Sequence, residues 1–153
     1  MKPTLRPYAP EDFEELYTID QACYPPGIAY SKRTLRLFLR LPGAECLVAE
    51  ADGRIAGFIL AEHEGESAHL ITIDVLAAER RRGVGTALLH AIERTLAARG
   101  VRQVELETAT DNHAAIAFWQ KHGYRTVGVL RNYYLDRLDA YSMHKPLSAP
   151  KEA

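Results

Sequence analysis

Cysteine is nearly absent from this chain: Cys23 and Cys46 are the only two in 153 residues. They are too few for a disulfide framework and are not spaced as metal ligands, so a reducing, cytoplasmic setting fits. Neither sign of charge dominates, with 19 Lys and Arg against 20 Asp and Glu and a formal net charge of −1. No global positive field would gather phosphate backbones, which excludes nucleic acid as a general partner. No run approaches the ~18 apolar residues of a membrane span, and MKPTLRPYAPEDF has no apolar stretch of the signal-peptide kind. Repeats and low-complexity segments are missing too. The six histidines are scattered. His63 and His69 flank EGES in what reads as a hairpin with polar ends, and no metal is expected.

What remains is an ordinary globular composition, 47% hydrophobic and 25% charged. The length suits a single domain over 1–153 with a proper core, and 148–153, SAPKEA, reads as a frayed tail. Thr4 to Tyr8 has strand character. Pro10, Glu11 and Asp12 then open a helix carrying Phe13, Leu16, Tyr17 and Ile19. Tyr24 to Tyr30, YPPGIAY, is a loop because Pro25, Pro26 and Gly27 interrupt any helix, and Ser31 caps a second helix with Leu35, Phe38 and Leu39. Cys46 to Ala51 and Ile55 to Ala61 form a hairpin on Asp52-Gly53. His69 to Leu76 is a third strand, with Ile71, Ile73 and Val75 predicted on one face. A helix over Val84 to Arg99 follows, striped by Val84, Leu88, Ala91, Ile92 and Leu96 and ended by Gly100. Then come a strand, Val101 to Thr108, and a helix capped by Asp111 or Asn112 through Ile116, Phe118 and Trp119. The last strands are Tyr124 to Leu130 and Ala140 to His144. This order predicts an α/β mixed sheet, antiparallel in its meander, with one parallel pair made by the crossover from His69 to Thr108.

The densest local signal is RRRGVGTALL, from Arg80 to Leu89. Gly83 and Gly85 remove side chains so that backbone N–H groups can close on a ligand. The helix beginning near Val84 aims its unpaired N–H groups and dipole at the same place, and Arg80, Arg81 and Arg82 add donors suited to phosphate. There is no Walker pattern, since no Lys-Ser or Lys-Thr follows the glycines. The dinucleotide fingerprint fails as well, because Gly83-Val84-Gly85 lacks its third glycine and stands several residues beyond the strand.

Arg80-x-x-Gly83-x-Gly85 resembles the acetyl-CoA pyrophosphate motif of the GNAT superfamily of N-acetyltransferases, and the element order is similar to that fold over nearly the whole chain. LET-x-x-x-N-x-x-A-I at 106–116, HGY at 122–124, RNYY at 131–134 and DAYSM at 139–143 are most similar to RimI-type protein N-terminal acetyltransferases. The resemblance implies acetyl-CoA as co-substrate and a protein N-terminus or a small amine as acceptor. By it, the main chain of Ile73, Asp74 and Val75 pairs with the pantetheine arm, as a peptide does in strand addition. Amides of Arg81, Arg82, Gly83, Val84, Gly85 and Thr86 hold the pyrophosphate, and Asn112 bonds the pantetheine near its reactive end. At Asp74 the family usually carries a small apolar residue.

The resemblance also aligns the family's general base with Glu107. Read from the residues alone, Glu105 and Glu107 equally suit the wet face of a half-buried strand. The family's tyrosine proton donor falls at Trp119, which cannot release a proton at physiological pH. A thiol with a pKa of ~8.5 can leave unaided as thiolate; otherwise Tyr134, Tyr124 or Tyr133 substitutes, Tyr134 being the candidate. Tyr30, Tyr133 and Asp139 are candidate acceptor-binding residues from YPPGIAY and RNYYLDRLDAY. A small-molecule acetyltransferase and a non-catalytic acyl-CoA-binding module stay as alternatives, and monomer and homodimer are equally open.

Overall fold

Two breaks in strand alternation shape the first four strands of the sheet. The computed structural model describes residues 3–149, so positions 150–153 of the expected tail lie outside the described residues. Seven strands form one sheet: β1 (Thr4–Pro7), β2 (Ala44–Ala51), β3 (Arg54–Glu64), β4 (Ser67–Val75), β5 (Gln103–Ala109), β6 (Arg125–Tyr134) and β7 (Leu138–Pro146). Their spatial order is β1-β2-β3-β4-β5-β7-β6. All pairs are antiparallel except β4 and β5, as the crossover predicts. The first break lies in β2–β3, where Ala49 pairs with Gly57 but Glu50 with Ile55.

The second break matters more. Leu60 pairs with Thr72 and Ala61 with Leu70, so Ile71 is bulged out of the ladder. A bulge inserts one residue and reverses which parity faces which side. Ile73 and Val75 therefore pack on one side of the sheet, while Ile71 packs on the other. This corrects the expectation that all three share a face: period-2 reasoning has no means of seeing an inserted residue.

Each face is covered by helices whose apolar stripes were readable. On one face α3 (Val84–Ala98) buries Leu88, Ile92 and Leu96 completely, beside Trp119 of α4 (His113–Lys121) and Tyr124. Each such side chain contributes about 1.5–3 kcal/mol over remaining exposed. On the other, α1 (Phe13–Cys23) and α2 (Lys32–Leu39) bury Phe13, Leu16, Ile19 and Leu35 against Val48, Phe58 and Leu60. Ser31 caps α2, accepting the Thr34 N–H at 3.1 Å, a contact worth ~1 kcal/mol. Among the described residues no helix is long and apolar enough to cross a membrane.

The last hairpin is longer than the sequence suggested. Arg131 to Tyr134 belong to β6, and Leu138 and Asp139 already belong to β7. Asn132, Leu135 and Asp136 all take positive φ near 54°, a conformation disfavoured by non-glycine side chains, which hid the strand extension and its tight turn.

Candidate active site

The parallel strands β4 and β5 pair only from Ser67 and Gln103 to His69 and Glu105. Beyond that point β4 runs on to Val75 and β5 to Ala109 without pairing, and the sheet splits. Glu107 stands just past the split. Its Oε1 receives the His69 Nε2–H at 2.6 Å and the Tyr133 hydroxyl at 3.2 Å. The Glu107 side chain is 17% exposed against 46% for Glu105, so the two share a strand face without sharing an environment.

The electrostatics favour charge on both partners. The hydrogen bond to Glu107, opposed by burial, holds the His69 imidazole above its ordinary value. Burial pushes the Glu107 carboxyl up, but the His69 hydrogen bond and charge, Tyr133 and His144 outweigh it and leave it below the usual range. A carboxylate so held is a poor proton acceptor by itself, while the histidine beside it is a better one.

Two loops close over this split. Tyr134 directs its hydroxyl at the Glu107 carbonyl at 3.5 Å, and not at the carboxylate. Tyr30 bonds the Ile71 carbonyl at 3.3 Å and lies near Tyr133 and Tyr134. A side chain at Gly27 would collide with Leu135, so glycine there lets the β6–β7 turn seat on the YPPGIAY loop. Burial raises all three tyrosines, Tyr133 to about 12, which makes them neutral donors at physiological pH. The Asp139 carboxylate accepts the Asn132 N–H at 2.9 Å and so braces this hairpin.

The free edge of β4 is dressed by side chains. The Ile73 carbonyl accepts from the Tyr24 hydroxyl at 3.0 Å, and the Val75 carbonyl from Arg80 Nε at 3.0 Å. A carbonyl has two lone pairs, so a ligand pairing there would share or displace these donors. Asp74 points away from that edge into the α1 side and is completely buried. At the start of α3, Gly83 is the N-cap, left-handed at φ 81° and without a side-chain cap. Arg81 is also left-handed, at φ 69°. Arg82 leans to Glu79 at 3.8 Å, and Thr86 Oγ1 meets His122 Nε2 at 3.2 Å. A Cβ at Gly85 would touch only Phe118 at 3.5 Å and Val75 at 3.8 Å. Asn112 caps α4 through Oδ1, accepting the Ala115 N–H at 3.2 Å, which leaves the donor half of its amide for a ligand.

Residues 13–124 match the Acetyltransferase (GNAT) family. The chain belongs to that family. It is an acetyltransferase, and acetyl-CoA is the donor the family uses. An N-alpha-acetyltransferase of Sulfurisphaera tokodaii is 37% identical over 117 residues, covering 68% of this chain and 70% of the relative. The crystal structure of the ribosomal-protein-S18-alanine N-acetyltransferase from Escherichia coli superposes with a TM-score of 0.88 at 29% identity, over 98% of this chain and 97% of that one. Ard1 from Thermoplasma volcanium gives 0.89 at 30%, over 97% and 99%. The GNAT fold and the RimI-type likeness read from the motifs therefore stand.

Sequence reasoning passed over one residue at this GNAT site. His69 reads as the polar end of a hairpin, yet the parallel register pairs it with Glu105, and its ring reaches the next residue on that strand face, Glu107. The signal was available in principle: a polar residue opening the strand before the crossover must lie beside the start of the strand after it. Trp119, by contrast, is core, 6% exposed and packed edge-on against Phe118 and Tyr124.

Proposed function

We propose that this GNAT enzyme acetylates the N-terminal α-amine of a protein or peptide, by direct transfer, with Glu107 and His69 as its proton-accepting pair. The observation that carries the reading is the 2.6 Å contact between them at the split of β4 and β5. An α-amine has a pKa of ~8, so the acceptor needs only modest help to become neutral. Glu107 orients the ammonium and receives its proton. In the Nδ1–H tautomer of uncharged His69 the bare Nε2 takes it on, giving the imidazolium that donates back to Oε1 and that the carboxylate favours. The α-amine preference is supported by the relatives that carry N-alpha and N-terminal alanine activities in their names.

The cradle at the start of α3 fits the donor's pyrophosphate. Gly83 needs its positive φ and has open space around it, and the first-turn N–H groups of α3 receive no side-chain cap, as an anion site requires. Amides of Arg81 to Thr86, the β4 edge at Ile73 to Val75 and the Asn112 amide would hold acetyl-CoA, which supplies an acetyl group already activated as a thioester. Tyr30 and Tyr133 grip the acceptor's first residues. The thiol leaves as thiolate, since a raised Tyr134 is a weaker acid than the thiol itself.

A panel of short peptides with free N-termini, set beside polyamines, aminoglycosides and N-terminally blocked lysine peptides, tests this by free-thiol release. Turnover confined to free N-terminal peptides is expected. Turnover on small amines alone would replace the acceptor, and no thiol release with any amine would leave only acyl-CoA binding.

A further inference from the structure

Two carboxyl groups lie buried behind β4, on the side opposite α3. Asp20 of α1 and Asp74 of β4 are both 0% exposed. Asp20 Oδ2 accepts the Tyr30 N–H at 2.7 Å, and Asp74 Oδ1 accepts the Thr72 hydroxyl at 2.5 Å. The other oxygen of each, Asp20 Oδ1 and Asp74 Oδ2, meets no donor, and the two carboxyls lie within hydrogen-bonding reach of each other. Two neighbouring carboxylates, each with a buried oxygen that meets no donor, are strongly disfavoured unless a proton joins them.

We propose that Asp20 and Asp74 share one proton and thereby position the YPPGIAY loop on β4. Through Oδ2, Asp20 holds the Tyr30 amide, and Tyr30 and Tyr24 in turn bond the Ile71 and Ile73 carbonyls. The shared proton is thus one bond away from the residue placed on the acceptor. The groups that face the pair are Tyr24 and Cys23 at the end of α1, Thr72 on β4, Cys46 on β2, Tyr30 in the loop and Arg80 after β4. Of these only Arg80 is cationic at neutral pH, and its guanidinium is already spent on the Val75 carbonyl and the Cys23 sulfur. Burial, then Asp20, hold the Asp74 carboxyl well above the carboxylate range. The folded pair keeps a proton that the unfolded chain releases, so its contribution to stability declines as pH rises above about 4.

Asp20→Asn is the charge-matched probe. Its amide replaces the shared proton, donates to Asp74 and still accepts from Tyr30, so the Asp74 carboxylate is satisfied without a shared proton. Measured by thermal unfolding between about pH 5 and pH 8, the wild-type Tm is expected to fall relative to Asp20→Asn by roughly 3–5 °C per pH unit. Parallel lines would overturn the shared proton. Asp20→Ala tests positioning: hydrogen exchange of the Tyr30 amide is expected to quicken by about tenfold or more, with the acceptor KM up about fivefold and the acetyl-CoA KM within about twofold. Asp20→Asn restores each value. If Asp20→Ala fails to fold, Asp20→Asn alone decides: wild-type Tyr30 protection upholds the positioning and lost protection overturns it. Wild-type exchange in Asp20→Ala overturns it as well. The acceptor half rests on the function proposed above, but melting and exchange need no acetyl transfer. A protein that ignores every peptide while showing both would refute that function and leave the shared proton standing.

Discussion

Replacing Glu107 by Gln keeps the shape of the side chain and removes its charge, and the structure sets how large the effect on His69 should be. Charge centres ~4 Å apart interact by roughly 1–4 kcal/mol between water-like and surface-like dielectrics. His69 is 37% exposed at its side chain, which places the pair near the lower end, ~1–1.5 kcal/mol. In Glu107→Gln the His69 pKa, followed by NMR of the imidazole, should therefore drop. Burial would then pull it down against only the remaining charges of Glu105 and Glu62. Stability changes in a defined window. The raised His69 contributes fully below 6.5 and loses its contribution as pH climbs through its folded value; the lowered Glu107 contributes above 4.5 and loses it as pH falls through its folded value. The gap in Tm between wild type and variant should be widest between those values and shrink on either side. Turnover should fall by about 10²-fold with acetyl-CoA affinity near wild type. An unmoved His69 titration, or full turnover, would refute the argument that the pair manages the acceptor's proton.

The cradle is tested by two substitutions at one glycine. Gly85→Ala adds a Cβ that meets only ordinary contacts, so the fold should be unaffected. Gly85→Asp should weaken acetyl-CoA at least ~10-fold by calorimetry, and equal affinity in both would remove the phosphate assignment. For the leaving group, Tyr134→Phe should keep turnover within about twofold, and the wild-type pH–rate profile should show no descending limb from tyrosine ionisation at high pH; a wild-type bell that the variant loses would make Tyr134 the acid. Trp119→Ala should cost about 3–5 kcal/mol in chemical denaturation, whereas Trp119→Phe should retain turnover, as befits a core residue.

Local patterns carried most of the fold. The stripes of α1 and α3, the Asp52-Gly53 turn, the Ser31 cap and the crossover to a parallel strand are all written in neighbours a few residues apart, where spacing alone dictates which face is buried. The Arg80 to Gly85 turn was legible for the same reason: backbone freedom, charge and a helix start coincide within six residues. Other features depended on partners brought from afar. The bulge at Ile71 is a mismatch between two strands, so no single strand reveals it. The β6 extension needs Asn132, Leu135 and Asp136 in conformations that propensity argues against.

The active-site chemistry divides along the same line. The sequence alone determined that Glu107 lies towards the end of a strand, that a glycine-rich turn opens the helix before that strand, that Asn112 opens the next helix and that tyrosines cluster near Arg131 to Tyr134. Only the tertiary structure decided what each touches. Parallel pairing over three residues set His69 beside Glu105 and so brought its ring to Glu107, 38 positions away. The hairpin turn put Tyr133, and not Tyr134, on the carboxylate, and the packing of α1 on β4 set Asp20 against Asp74. A residue's chemistry follows from its type, but its proton affinity follows from burial and from the charges nearby. Those are fixed when distant segments meet, and the order of residues along the chain does not contain them.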